Sequence, residues 1–184
     1  YTVGMNSIDL TIFDFFQSIQ SPALTYAFYS FTWFFNAIPG FILFFIVSFF
    51  LYTWGTRKSL IEFWGALAFS HVLVWTVKVW INFPRPELGL ITAYGPSFPS
   101  GHTAVATTFF LFFLRFMRHE KNVFRRSIHI AFCILVPITV AMSRLYLGVH
   151  WFSDVIGGFT VGVLALIVSD YIWNKLHNRK FSQV

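Results

Sequence analysis

Residues 37–54 read AIPGFILFFIVSFFLYTW, eighteen positions without a charge, and this run decides the fold class. A bilayer crossing takes about 20 mainly apolar residues, within a range near 17 to 25. Pro39 stands in the opening turn, where proline costs a helix little. Working outward, four more stretches meet the same criterion, near 59–79, 100–117, 127–147 and 154–173. Pro137 interrupts the 127–147 stretch and predicts a kink. In the last stretch Gly158 and Gly162 form a small-xxx-small pair that lets another helix come close.

Composition agrees. Of the 184 residues 57% are hydrophobic, 22% aromatic and 11% charged, against about 25% charged in soluble domains. The expected architecture is all-α: a polytopic transmembrane helical bundle forming one membrane-embedded domain over 1–184. Its core spans occupy 37–173, a cytoplasmic tail 174–184 and an interfacial or re-entrant segment 1–36. The single cysteine, Cys133, excludes an intrachain disulfide. A net charge of +6 raises the question of nucleic acid, but the basic residues do not form one interleaved patch, so none is expected. No obligate protein partner is inferred.

In the N-terminal segment Ile8, Ile12, Phe15 and Ile19 share one helical face, while Asp9, Gln17 and Gln20 do not. That periodicity predicts an amphipathic interfacial helix over 8–20. The aromatic run from Ala23 to Phe35 is too short to span and reads as re-entrant.

Orientation follows from the positive-inside rule. Threading the five spans puts Arg57, Lys58, Arg115, Arg118, Lys121, Arg125, Arg126, Lys175, Arg179 and Lys180 on one side, ten of the thirteen basic residues. That side is expected to be cytoplasmic. The other three, Lys78, Arg85 and Arg144, fall at the outer ends of spans or in an outer loop. His102, His150 and Asp154 are expected at the same level. Ionisable groups held at that depth are functional by default.

Two arginines and a lysine suit a phosphate, because the guanidinium fork grips a tetrahedral oxyanion at two points. Pro99-Ser100-Gly101 leads into a helix whose first N–H groups form an anion site, and Gly101 lets the backbone approach. Ser100 serves equally as a plain N-cap. His150 and Asp154 are four apart, so a helical start places the carboxylate where it can accept Nδ1–H and leave Nε2 basic. Such an imidazole beside a bound phosphate can act as nucleophile, and His102 can protonate the departing oxygen. No residue spacing matches a zinc site and no acidic pair suggests magnesium, so neither metal nor cofactor is expected.

Elsewhere, His71 lies seven residues before Lys78 on one helix and reads mainly as a structural histidine. His119, His129 and His177 read as solvated, and Glu62 and Asp170 as reaching for water or a basic neighbour. Glu87 either orients Arg85, lines the entrance or is simply an exposed loop acid. The long loop Asn82–Pro99 is expected to wall the substrate entrance.

Taken together, Lys78-x6-Arg85-Pro86, Pro99-Ser100-Gly101-His102 and Ser143-Arg144-x5-His150-x3-Asp154 resemble the three signature blocks of the type 2 phosphatidic acid phosphatase superfamily. Every fixed position is present, and the resemblance runs from about residue 21 to 173. The flanking Gly148-Val149-His150-Trp151 and Asp154-Val155-Ile156-Gly157-Gly158 are similar to bacterial members. The resemblance implies metal-independent phosphate-ester hydrolysis through a phosphohistidine on His150. Asp154 would orient it, His102 would act as general acid, and Lys78, Arg85, Ser100, Gly101 and Arg144 would hold the phosphate. It also implies an integral protein of the bacterial plasma membrane with an extracytoplasmic site. Members usually carry six transmembrane helices, so a further span before Tyr1 is expected.

The substrate expected is a lipid phosphate drawn from the bilayer: undecaprenyl diphosphate first, phosphatidylglycerophosphate or phosphatidate as alternatives. A membrane anion carrier would explain the cations but not His150, Asp154 and His102. A vanadate-dependent haloperoxidase has a similar site but is soluble.

Overall fold

The computed structural model describes residues 6–116 and 120–181. Tyr1, Arg118 and His119 lie outside the described residues, as do the side chains of His177, Arg179 and Lys180. The chain is all-helical among the described residues: α1 (Ser7–Ser18), α2 (Pro22–Trp33), α3 (Ala37–Trp54), α4 (Arg57–Ile81), α5 (Gly101–Phe116), α6 (Val123–Tyr146) and α7 (Phe152–Phe181). Local chemistry sets the boundaries. Asn6, Ser21, Thr56 and Asn122 each cap a helix by accepting a backbone N–H in the first turn. At the end of α4, Asn82 adopts φ 46°, a left-handed stop, with its N–H donated to the Lys78 carbonyl.

Four helices, α3, α4, α6 and α7, are long and apolar enough to cross a membrane. Their outward faces are apolar, as on α3, where Phe41, Phe45 and Phe49 are exposed while Phe44 and Leu51 are buried. Helix α6 continues through Pro137. The 100–117 stretch forms α5, with 16 residues in the described part, about 24 Å at 1.5 Å per residue. It is the central helix, packed against α4, α6 and α7. Its Ala104, Val105, Ala106, Phe109, Phe110 and Phe112 are buried, so it meets protein rather than lipid and need not match the bilayer.

The α5–α7 crossing has a clear cause. A Cβ on Gly158 would come within 2.7 Å of the Ser100 carbonyl oxygen, and one on Gly162 within 2.6 Å of Thr107 Cβ. Only glycine permits this approach, which draws the start of α5 onto the start of α7, where Ser100 N donates to the Asp154 carbonyl at 2.9 Å.

Helix α1 forms where expected, but Asp9, Gln17 and the following Gln20 face the protein. Asp9 is buried, Gln17 Nε2 donates to the Leu88 carbonyl and Gln20 Nε2 to that of Tyr146, while Ile8, Phe15 and Ile19 are exposed. Those polar groups satisfy carbonyls at loop and helix ends, which lipid could not do. Helix α2, twelve residues long, leans on α6, where Phe28 packs against the ring of Tyr146. His129 is half-buried rather than solvated. Glu62 and Asp170 do find a basic neighbour, since both pair with Arg115.

Candidate active site

The ends of α4 and α6 and the starts of α5 and α7 come together and bring the three blocks with them. Their spacing has a structural origin. Helix α6 ends in a paired closure, Val149 N–H to the Arg144 carbonyl (3.3 Å) and Gly148 N–H to that of Leu145 (3.0 Å), with Gly148 at φ +65°. Helix α7 then begins, and Asp154, three residues after Trp151, reaches back to accept the Trp151 N–H at 2.8 Å. Arg144, His150 and Asp154 are therefore spaced by one helix stop and one helix start.

His150 and Asp154 are buried, 3% and 0% exposed. The His150 Nδ1 lies 3.1 Å from Asp154 Oδ2, and Arg85 Nη1 lies 3.3 Å from His150 Nε2. Guanidinium can only donate, so Nε2 carries the lone pair and Nδ1 the proton. Burial, then the charges of Arg144, Arg85 and Lys78 and the neighbouring His102, hold the imidazole well below the usual histidine pKa. It is thus neutral, with a basic Nε2 turned toward a guanidinium.

Arg85 is aimed by carbonyls. It donates to Val149 O (2.7 Å), Gly95 O (3.0 Å) and Pro96 O (3.2 Å). Lys78 Nζ donates to the carbonyls of Pro96 and Ser97, the latter at 3.0 Å. Arg144 is buried, and Nη1 reaches Thr32 Oγ1 at 3.4 Å, while Nε has no hydrogen-bond partner among the described residues. An uncompensated buried guanidinium N–H is costly unless an anion meets it. Ser100 is buried at the start of α5, its Oγ accepting from Thr103 Oγ1 at 3.0 Å. His102 Nε2 lies 2.9 Å from Asn36 Oδ1.

Lys78, Arg85, Gly101, His102, Arg144 and His150 line one cavity of about 610 Å³, together with Leu90–Tyr94 of the long loop. That loop forms one wall, as the sequence suggests. Glu87 is exposed. His71 is held by the Leu67 carbonyl (3.1 Å), which fits the structural reading. A second, largely apolar cavity of about 230 Å³ adjoins the first at Asn36, Gly101 and His102.

Four contributors escaped the sequence reading. Ser97 Oγ lies 3.3 Å from Asp154 Oδ1. Thr32 and Asn36 touch Arg144 and His102 from the α2–α3 corner. Asp9 accepts from Ser153 N (2.8 Å) and Ser153 Oγ (2.9 Å), capping α7 from α1. Asp9, Thr32 and Asn36 are polar residues in apolar surroundings, a signal that marks them without naming a partner, whereas Ser97 lies in the long loop and carries no such signal.

Residues 59–178 match the PAP2 superfamily. The chain belongs to that superfamily. It is a lipid phosphatase of the PAP2 type, similar to YbjG of Escherichia coli K12, provisionally named an undecaprenyl-diphosphatase. That similarity is 30% identity over 143 residues, covering 73% of this chain and 68% of the relative. Phosphatidylglycerophosphatase B of Bacillus subtilis is 31% identical over 115 residues, 61% of this chain and 55% of its own length. The PAP2 chain thus spans about two thirds and about half of these relatives. Among solved structures, Aquifex aeolicus LpxE superposes with a TM-score of 0.73 at 25% identity, covering 91% of this chain and 97% of LpxE. The transmembrane PAP2-type phosphatidylglycerolphosphate phosphatase of Bacillus subtilis shares the fold with a TM-score of 0.81 at 24% identity, covering 95% and 90%.

Proposed function

We propose that this PAP2 phosphatase hydrolyses a lipid phosphate or diphosphate on the extracytoplasmic leaflet through a phosphohistidine on His150, with undecaprenyl diphosphate as substrate. The carrying observation is the His150 imidazole, its Nδ1–H held by Asp154 and its lone pair at Nε2 beside Arg85. Lys78, Arg85, Ser100, Gly101 and Arg144 hold the phosphate. The incoming oxyanion takes over the Arg85 contact to Nε2 and meets the unpartnered Arg144 Nε. Nε2 attacks the terminal phosphorus, the bond to the leaving-group oxygen (the bridging oxygen of undecaprenyl phosphate in the diphosphate, the lipid alcohol oxygen in a monoester) breaks with its electron pair, and His102 gives that oxygen a proton. Asp154 keeps Nδ1–H throughout. Water then attacks the phosphohistidine, returns its proton to His102 and releases inorganic phosphate, restoring His150.

The outward orientation rests on the ten basic residues that threading the spans through a bilayer puts on the other side. An outward site meets undecaprenyl diphosphate, which is released on that side, and the name of the Escherichia coli relative supports that substrate. Phosphatidylglycerophosphate is the second reading, favoured by the name of the Bacillus subtilis relative.

Purified protein offered undecaprenyl diphosphate, phosphatidylglycerophosphate and phosphatidate in EDTA tests the proposal, beside His150→Ala. In sealed right-side-out vesicles an impermeant phosphate ester is added outside. Phosphate release is expected to survive the chelator, to be fastest with the diphosphate, to occur outside, and to vanish in the variant. Full activity of His150→Ala would end the phosphohistidine account. Loss in EDTA would end the metal-independent one, and preference for phosphatidylglycerophosphate would establish the second reading.

A further inference from the structure

Asn36 occupies the N-cap of α3, yet its side chain makes no capping bond there. Asparagine is among the best N-cap residues because its side-chain oxygen satisfies a first-turn N–H. Here Oδ1 is turned to His102 Nε2 instead, at 2.9 Å. The backbone of Asn36 is held on both sides, its N–H by the Trp33 carbonyl (3.0 Å) and its carbonyl by Gly40 N–H (2.8 Å). The side-chain oxygen is thus presented as an acceptor from an anchored backbone, at a corner that precedes residues 59–178, where the superfamily match lies.

An amide oxygen cannot donate, so His102 Nε2 must carry the hydrogen of this bond. That leaves Nδ1 as the ring position that exchanges a proton with substrate. We infer that Asn36 is a positioning residue for the general acid: it fixes the orientation and tautomer of His102 so that Nδ1 carries the transferred proton. The inference rests on the acid role proposed for His102. Asn36 acts only through that ring, as Asp154 acts through His150 on the opposite side of the cavity. The site then holds two histidines fixed in opposite senses, one by Nδ1–H and one by Nε2–H.

Leaving-group chemistry separates positioning from mere structure. Dodecyl phosphate loses an alkoxide that needs a proton, whereas 4-nitrophenyl phosphate loses a phenolate that needs none. Asn36→Ala is expected to lower kcat on the dodecyl ester roughly 10- to 100-fold, part of the 10²–10⁴ that a general acid supplies. Its effect on the nitrophenyl ester should stay within about threefold, and KM should change little, because the proton is needed only in the transition state. Asn36→Asp, which keeps an acceptor, should recover most of the loss. Asn36→Ser, a good N-cap residue too short to reach the ring, should not.

In a His102→Ala background, Asn36→Ala should cost nothing further on the dodecyl ester. Equal losses on both esters, or additive losses in the double variant, would overturn the inference. The acid role itself is read separately: His102→Ala must show the same dependence on leaving group. If it does and Asn36→Ala does not, only the role of Asn36 falls. If His102→Ala is insensitive to the leaving group, the acid assignment falls with it.

Discussion

In the proposed mechanism the chemistry turns on His150, whose state is fixed by contacts on both ring nitrogens. Asp154 Oδ2 accepts from Nδ1 and from Trp151 N–H, so one oxygen orients the base and starts a helix. Burial first, and the cationic neighbours second, favour the neutral ring. A depressed pKa means protonation occurs only as pH falls through a value well below 6.5. Histidine-labelled protein should therefore still show, at pH 6, ¹⁵N shifts of a neutral Nδ1–H tautomer for His150. A ring half-protonated near pH 6.5 would contradict this. At this scale the spacing of Arg144, His150 and Asp154 was legible in the sequence, because spacing along a chain encodes helix stops and starts. The sequence did not name the partners of Asn36, Thr32 and Ser97, which lie 66, 112 and 57 residues away, since such pairings leave no local pattern.

Among the elements, α1 shows how a correct periodicity can be turned the wrong way. Amphipathicity names a helix with two faces but not what each face meets. Here the polar face meets protein, and Asp9 supplies the N-cap oxygens for α7 from 144 residues away. Because α7 starts with the turn that carries Asp154, this contact sets the height of the carboxylate under His150. Asp9→Ala is expected to lower stability by about 1 kcal/mol, the usual worth of an N-cap, and to lower kcat as well. Thermal unfolding and initial rates measure the two. Unchanged kcat alongside lowered stability would show that the cap holds the helix but not the site. Helix α5 carries the complementary lesson: its apolar length predicts a span, but its buried place at the centre of the bundle, against α4, α6 and α7, shows only in three dimensions.

Across the whole molecule, charge is divided between the two ends. One end gathers Lys58, Glu62, Arg115 and Asp170 in ion pairs. The other holds Lys78, Arg85 and Arg144 around a cavity in which their donors meet carbonyls, one hydroxyl and a histidine nitrogen and, among the described residues, no carboxylate. The only carboxylate among the eight site residues, Asp154, is committed to His150, Trp151 and Ser97. In the proposed mechanism the cationic end neutralises the phosphate while His150 stays uncharged. Hydropathy and the positive-inside rule made this division legible from sequence. The convergence of four helix ends was not, because it depends on the glycine crossing of α5 and α7 in three dimensions. The most direct test of the account is to trap the covalent intermediate. Substrate carrying ³²P at the scissile phosphate would be mixed with enzyme, quenched in alkali during turnover, and the labelled peptide mapped. The account predicts label on His150, stable in base, lost in acid and absent from His150→Ala. Label on another residue, or turnover with no labelled enzyme, would contradict it.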